Sequence, residues 1–245
     1  MRQDDPCGSP LNRKWHRPDR TDPLNPAFTV TLTAGLLLAA SQPLFAHEQP
    51  GLSPLRSLRP AEVQPYLAAG TELLIDAASV ERFLERLEGA PPDWARVYGH
   101  GHHDPDHDER LFRLNRERDE ARAGHELLRR RIAFLWSGEL SGYDAESGGF
   151  HVALGPTFIT TNWGLVRFKY DDLPGDLIAV PPADQLQLLQ KRMEQGEAVE
   201  IDVVMAGVLV PDESVVYDFS HDQEGLGLIM PVVRIEQILY LHHAR

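Results

Sequence analysis

A short stretch of the chain is rich in side chains that bind transition metals. Six of its residues form a candidate metal site: His100, His102, His103, His107, Asp104 and Asp106. Imidazole is a good ligand for zinc, copper and nickel, and carboxylates can complete the coordination shell. The His-x-His spacing places two rings near one ion when the backbone is extended. The stretch therefore predicts binding of zinc, copper or nickel.

The same stretch also fits a second interpretation, a solvated histidine-rich linker that binds metal weakly and without fixed geometry. A catalytic metal centre is not expected, because such centres take their ligands from rigid elements and hold them with supporting hydrogen bonds. The chain also has no His-Glu-x-x-His motif.

Nucleophilic catalysis finds no support in the sequence. Ser220, His221 and Asp222 have the residue types of a hydrolytic triad, but consecutive residues cannot present that geometry to one another. No Gly-x-Ser-x-Gly motif occurs, and the single cysteine, Cys7, lies in the N-terminal segment. A hydrolase with an unrecognised site is the second alternative function.

Aromatic residues are frequent in the C-terminal half, where they can line a groove for peptide or glycan or fill a core. They are Trp136, Tyr143, Phe150, Phe158, Trp163, Phe168 and Tyr170. Most aromatic side chains are buried, so a core is the expected role for the set. Asn162-Trp163-Gly164 interrupts a strand at a predicted turn, and we therefore predict that Trp163 is an exposed contact residue.

The N-terminal segment has the features of a signal peptide. Val30–Ala40 is an uncharged apolar run too short to span a membrane, and it follows a basic region that contains Arg13, Lys14, Arg17 and Arg20. Pro43 stops a helix, and Ala46 is small enough for a cleavage site before His47. A buried core helix is the alternative, but such a helix would have a polar face. Residues 1–46 are therefore predicted to direct export to the periplasm or the medium.

The formal net charge of −13 limits the choice of partners. A uniformly acidic surface repels phosphate groups, which makes nucleic acid and anionic lipid poor partners. No second long apolar segment occurs, so no membrane span is expected in the mature form. The predicted partner is another envelope protein.

The element pattern predicts an α+β fold with N-terminal helices followed by a small antiparallel β-barrel or sandwich. Residues 47–59 resemble a linker, and residues 60–131 a helical segment with the His-rich loop at 99–108. Within 132–245 the apolar period changes to that of strands. The order β-β-β-α-β-β there is that of an oligomer-binding (OB-like) barrel.

These observations predict an exported periplasmic protein that acts as a non-enzymatic interaction or binding domain. A periplasmic metal-binding protein that uses the His-rich loop is the alternative.

Overall fold

A computed structural model describes residues 51–100, 104–220 and 226–242. Within these ranges the chain is α+β, and six of its strands close into a barrel. Several predictions fall outside the described residues: the signal peptide at 1–46, positions 47–50 of the linker, His102 and His103, and His221 and Asp222.

Four α-helices and eleven strands occupy the described ranges. The helices are α1 (Ala77–Glu88), α2 (Trp94–Tyr98), α3 (His107–Arg122) and α4 (Ala183–Glu194). The strands are β1 (Leu52–Arg56), β2 (Glu72–Leu74), β3 (Arg131–Asp144), β4 (Gly149–Gly155), β5 (Ile159–Thr161), β6 (Gly164–Val166), β7 (Lys169–Asp171), β8 (Ile178–Val180), β9 (Val199–Leu209), β10 (Val215–Phe219) and β11 (Gly227–Leu241).

The barrel wall has the order β1-β8-β4-β3-β9-β11 and closes where β11 pairs with β1. Strands β3, β4, β8, β9 and β11 pair in antiparallel fashion, as predicted. Strand β1 runs parallel to both of its neighbours, so the prediction of a wholly antiparallel barrel is wrong there. The OB-like order is not confirmed, because six strands close the barrel and β1 enters it from the N-terminal side. Strand β1 also lies within the range predicted as a linker, 47–59.

Strand β11 is the longest and carries neighbours along both edges. On one edge it pairs with β10 and then with β9. On the other edge it pairs with β6, β7 and β1 in turn. Leu165 pairs with Leu228 and Lys169 pairs with Val232, so β6 and β7 keep one register against β11. They therefore act as one extended segment that is interrupted at Arg167 and Phe168.

The barrel wall is buried on both of its faces. Alternate residues of β3, among them Phe134 and Trp136, face the inner core. A second cluster covers the outer face, where Val63 and Leu67 pack with Val204 and others. Of five residues predicted to be core, Val203 and Leu239 are buried, whereas three are only half-buried: Leu135, Val208 and Ile235. Burial on both faces explains why the apolar runs of these strands are nearly continuous.

Helix α1 forms over the residues predicted from the sequence. The Asp76 carboxylate accepts a hydrogen bond from the backbone N–H of Ser79 at 2.7 Å, which caps the first turn. Gly89 follows with φ of 82°, a left-handed conformation that ends the helix. The buried side of α1 is apolar and packs on the barrel core: Val80, Phe83, Leu84 and Leu87.

Helix α3 is joined to the core by buried charges and is shorter than the helix that the sequence predicts, which runs from Pro105 to about Arg131. It begins at His107 and ends at Arg122, two residues before Gly124. The Glu88 carboxylate has no exposed surface and pairs with Arg122 and with Arg118, the latter at 3.0 Å. Tyr217 of β10 donates its hydroxyl hydrogen to Glu88. Burial first, and the Glu88 charge second, raise the pKa of Tyr217 well above its usual range, which keeps this donor protonated.

Candidate functional site

Asp104, one of the predicted metal ligands, stabilises its own loop. Its carboxylate accepts hydrogen bonds from the Arg110 guanidinium at 2.9 Å and from the backbone N–H groups of His100 and Asp106. The bond to Arg110 is the main reason that the pKa of Asp104 lies well below its usual range. The carboxylate is thus saturated with donors and would have to exchange them to bind an ion.

His107 lies at the first position of α3, with an oxygen atom near each of its ring nitrogens. Its Nδ1 lies 2.7 Å from the Asp104 carbonyl oxygen, and its Nε2 lies 3.2 Å from the Asp108 carboxylate. The ring also packs against Phe219, with 4.9 Å between the centroids. A hydrogen on Nδ1 would satisfy the carbonyl and leave the Nε2 lone pair beside a carboxylate, an arrangement suited to a cation.

The remaining predicted ligands do not complete a site in the described ranges. His100 and Asp106 are exposed, and Asp106 precedes α3 without a side-chain hydrogen bond to its first turn. Among residues 51–100, 104–220 and 226–242, no three histidine, cysteine or acidic side chains are grouped to hold a metal ion.

Trp163 is not an exposed contact residue, so that prediction is wrong. Its side chain is only 4% exposed. A buried hydrogen bond holds the backbone of its turn, because the Trp94 indole donates to the Trp163 carbonyl oxygen at 2.6 Å. Gly227 lies so close to the Trp94 ring that a Cβ atom there would be 1.9 Å from it. The turn therefore belongs to the packed core.

Two concave regions of the described residues bear on function, and the larger of these is a groove of about 890 Å³ outside the barrel wall, beside α4. Four carboxylates line it: Glu139, Glu197, Glu200 and Asp202. Its arginine, Arg192, is already paired with Glu197 at 2.8 Å. The groove has the acidic character of the chain as a whole, and acidic side chains on a solvated face are ordinary.

The smaller concave region differs from the rest of this acidic chain, and we call it the cationic pocket. It has a volume of about 380 Å³ and is lined by Trp136, Arg167, Lys169, Tyr170, Glu213, Val216 and Val232. Two cations and one carboxylate give it a net positive charge. It lies where the segment joining β6 to β7 crosses the indole of Trp136, which donates a hydrogen bond to the Phe168 carbonyl oxygen at 3.1 Å.

Aromatic rings hold the Arg167 guanidinium in the cationic pocket. Its central carbon lies 5.6 Å from the centroid of the Trp136 ring and 5.7 Å from that of the Phe158 ring. Tyr170 packs edge-on against Trp136, with 5.0 Å between the centroids. Cation–π contacts of this kind orient an arginine without using its N–H donors. The two Nη groups have no hydrogen-bond partner among the described residues and so remain available to a ligand.

Arg167 has an unsatisfied buried donor. Its Nε has no accessible surface and no hydrogen-bond partner among the described residues. A buried donor without a partner is costly, and such groups in native proteins usually have a partner or a functional reason. Arg56 Nε is also unpartnered, but Arg56 stacks on Tyr66 and lines neither concave region.

Sequence reasoning did not identify Arg167 or Lys169. A basic residue in a strand normally faces solvent, and nothing in the local pattern separates these two from other surface cations. The available signal was the alternation of Arg167 and Lys169 with Phe168 and Tyr170. In an extended segment this alternation places two cations on one face.

Comparisons with protein-family models, with curated proteins and with solved structures gave no match. In the described part of the chain, none of the helices has the length and apolar character needed to cross a membrane.

Proposed function

We propose that this chain is an exported protein, periplasmic or secreted, that works as a non-enzymatic binding domain with the cationic pocket as its ligand site. The observation that carries the proposal is the Arg167 guanidinium, held between two aromatic rings with a buried, unpartnered Nε at a cavity of about 380 Å³. Small-molecule sites combine apolar walls with a few oriented polar groups, and this volume lies in their usual range.

Binding at the pocket can be tested without knowing the natural ligand. The mature protein is screened by thermal shift against a mixed panel of small anions, cations, sugars and peptides. Compounds that bind the folded state raise the melting temperature by mass action. We expect the active compounds to lose their effect on an Arg167→Met/Lys169→Met variant and to keep it on an Arg129→Met/Lys191→Met control. Active compounds that act equally on both variants would contradict the pocket as the ligand site.

Export is the other half of the proposal and predicts a processed chain. Protein from a periplasmic extract should begin at or near His47, because Val30–Ala40 has the length and composition of a signal segment. N-terminal sequencing measures this directly. A Leu37→Arg variant should remain unprocessed in the cytoplasm, whereas a Thr33→Ser control should be processed normally. Protein that begins near Met1 and stays in the cytoplasm would refute export.

Metal binding through the His-rich loop is the second candidate function. The arrangement that favours it is His107, whose Nδ1 is held by a backbone carbonyl while its Nε2 faces the Asp108 carboxylate. A fixed Nδ1 orients Nε2 for a metal ion, as supporting hydrogen bonds do in metal sites generally. Zinc, copper or nickel would be the ion.

This second candidate predicts a defined zinc titration. Protein without an affinity tag should bind zinc with fixed stoichiometry and melt at a higher temperature with the ion. Binding should weaken below about pH 6, because protons compete for imidazole nitrogens with an ordinary pKa near 6.5. A variant with alanine in place of all four loop histidines is the comparison, and His151→Ala is the matched control. Equal zinc binding by the wild type and the fourfold variant would show that the loop is not the metal site.

A further inference from the structure

The charges of the cationic pocket select a class of ligand, an inference that rests on the proposed function. Arg167 and Lys169 supply two positive charges, and Glu213 supplies one negative charge. Neither cation forms an ion pair within the described part of the chain. The net positive charge therefore favours an anionic ligand and repels a cation.

The shape of the Arg167 donor favours a carboxylate. A guanidinium presents its Nε and Nη hydrogens as a planar fork that matches the two oxygens of a carboxylate. The Nε of Arg167 has no accessible surface. A ligand carboxylate would therefore bind at the two Nη groups, which also form a planar fork. Because Trp136 and Phe158 already hold the guanidinium, little side-chain freedom is lost on binding.

The walls of the pocket favour an apolar, planar body on the ligand. Trp136, Tyr170, Val216 and Val232 contribute ring faces and aliphatic surface beside the two cations. Aromatic groups prefer tilted or offset contacts with other rings, and Tyr170 and Trp136 already meet edge-on. A cavity of about 150 Å³ can hold a benzene ring. The pocket, at about 380 Å³, has room for one ring with a short acidic side chain.

We propose that the cationic pocket binds a small monocarboxylate with an aromatic or similarly planar apolar body, whose carboxylate pairs with Arg167 and Lys169. The phenyl ring of such a ligand packs beside Trp136 and Tyr170. Glu213 at the rim repels the ligand carboxylate and so limits its affinity.

The probe for this proposal is 3-phenylpropionate, titrated by calorimetry into the mature protein at neutral pH. Two compounds with the same ring serve as comparisons: the neutral 3-phenylpropanamide and the cationic 3-phenylpropylamine. Hydrogen bonds to a charged group change affinity by about ten- to a hundredfold. We expect the amide to bind weaker than the carboxylate by that factor. The amine should not bind.

Two variants with opposite expected effects keep the test independent of misfolding. Arg167→Met should weaken binding of 3-phenylpropionate about ten- to a hundredfold. Glu213→Gln removes the opposing charge at an exposed position and should strengthen binding. Glu197→Gln, in the acidic groove, is the matched control and should leave the affinity unchanged.

The outcomes separate this inference from the proposed function. Equal affinity for the amide or no effect of Glu213→Gln would overturn the monocarboxylate. So would an absence of binding by all three probes. The proposed function falls only if the broader compound screen finds no binding that depends on Arg167 and Lys169.

Discussion

Replacing Glu88 with glutamine should lower the free energy of unfolding by about 3–5 kcal/mol, as is typical when one partner of a buried ion pair is removed. The Glu88 side chain is fully buried, and Arg122 beside it is 1% exposed. Glutamine has nearly the same size, so the change removes charge rather than volume. Arg122 would then be a buried cation without its main counter-charge. Chemical denaturation of the wild type and the variant measures the difference.

The matched control for this change is an ion pair of the same chemistry that lies within α3 and is exposed to solvent. Glu109 pairs with Arg113 at 2.9 Å, and both side chains are more than half exposed. Glu109→Gln should cost less than about 1 kcal/mol, because solvent screens exposed ion pairs. A combined Glu88→Gln/Arg122→Met variant should lose less than the sum of its two single changes. Equal costs for Glu88→Gln and Glu109→Gln would show that the buried network does not hold α1 and α3 to the barrel.

Phe134→Ala should be similarly severe, with a cost of about 3–5 kcal/mol. Phe134 has no exposed surface, lies inside the barrel and stacks on Phe168 with 4.6 Å between the ring centroids. Its removal leaves a cavity in the core and loses the aromatic pair. Phe112 on α3 is 63% exposed, and Phe112→Ala should change the free energy of unfolding by about 0.5 kcal/mol or less. Equal shifts of the denaturation midpoint in the two variants would refute the placement of Phe134 inside the barrel.

Local signals account for the parts of the fold that could be predicted. Helix α1 has a capping aspartate before it and a glycine after it, and both act within one turn of the helix. Strands β9 and β11 are long apolar runs. The sequence predicts them at Val199–Val210 and Leu228–Leu241, which differ from the observed bounds by one residue each. The closed barrel is consistent with the predicted antiparallel β domain, although its exact strand order is not.

The missed features depend on contacts between distant parts of the chain. Strand β1 contains Pro54, a residue typical of turns, and it pairs with residues 178–180 and 240–241, far along the sequence. Trp163 is buried because Trp94 and Gly227 meet its turn from two other segments. Arg167 and Lys169 reach a pocket only because the register of β7 on β11 brings them beside Trp136 and Val232. Each of these contacts joins segments that are distant in the sequence, so a local pattern alone does not predict it.

The most direct test of the cationic pocket as the ligand site is one thermal-shift comparison of three proteins with 3-phenylpropionate. They are the wild type, the Arg167→Met/Lys169→Met variant, and the variant with alanine in place of the four loop histidines. A ligand that prefers the folded state raises the melting temperature only where its site is intact. The pocket predicts a shift in the wild type and in the loop variant, and none in the Arg167→Met/Lys169→Met protein. A shift that survives in the pocket variant but disappears in the loop variant would contradict it.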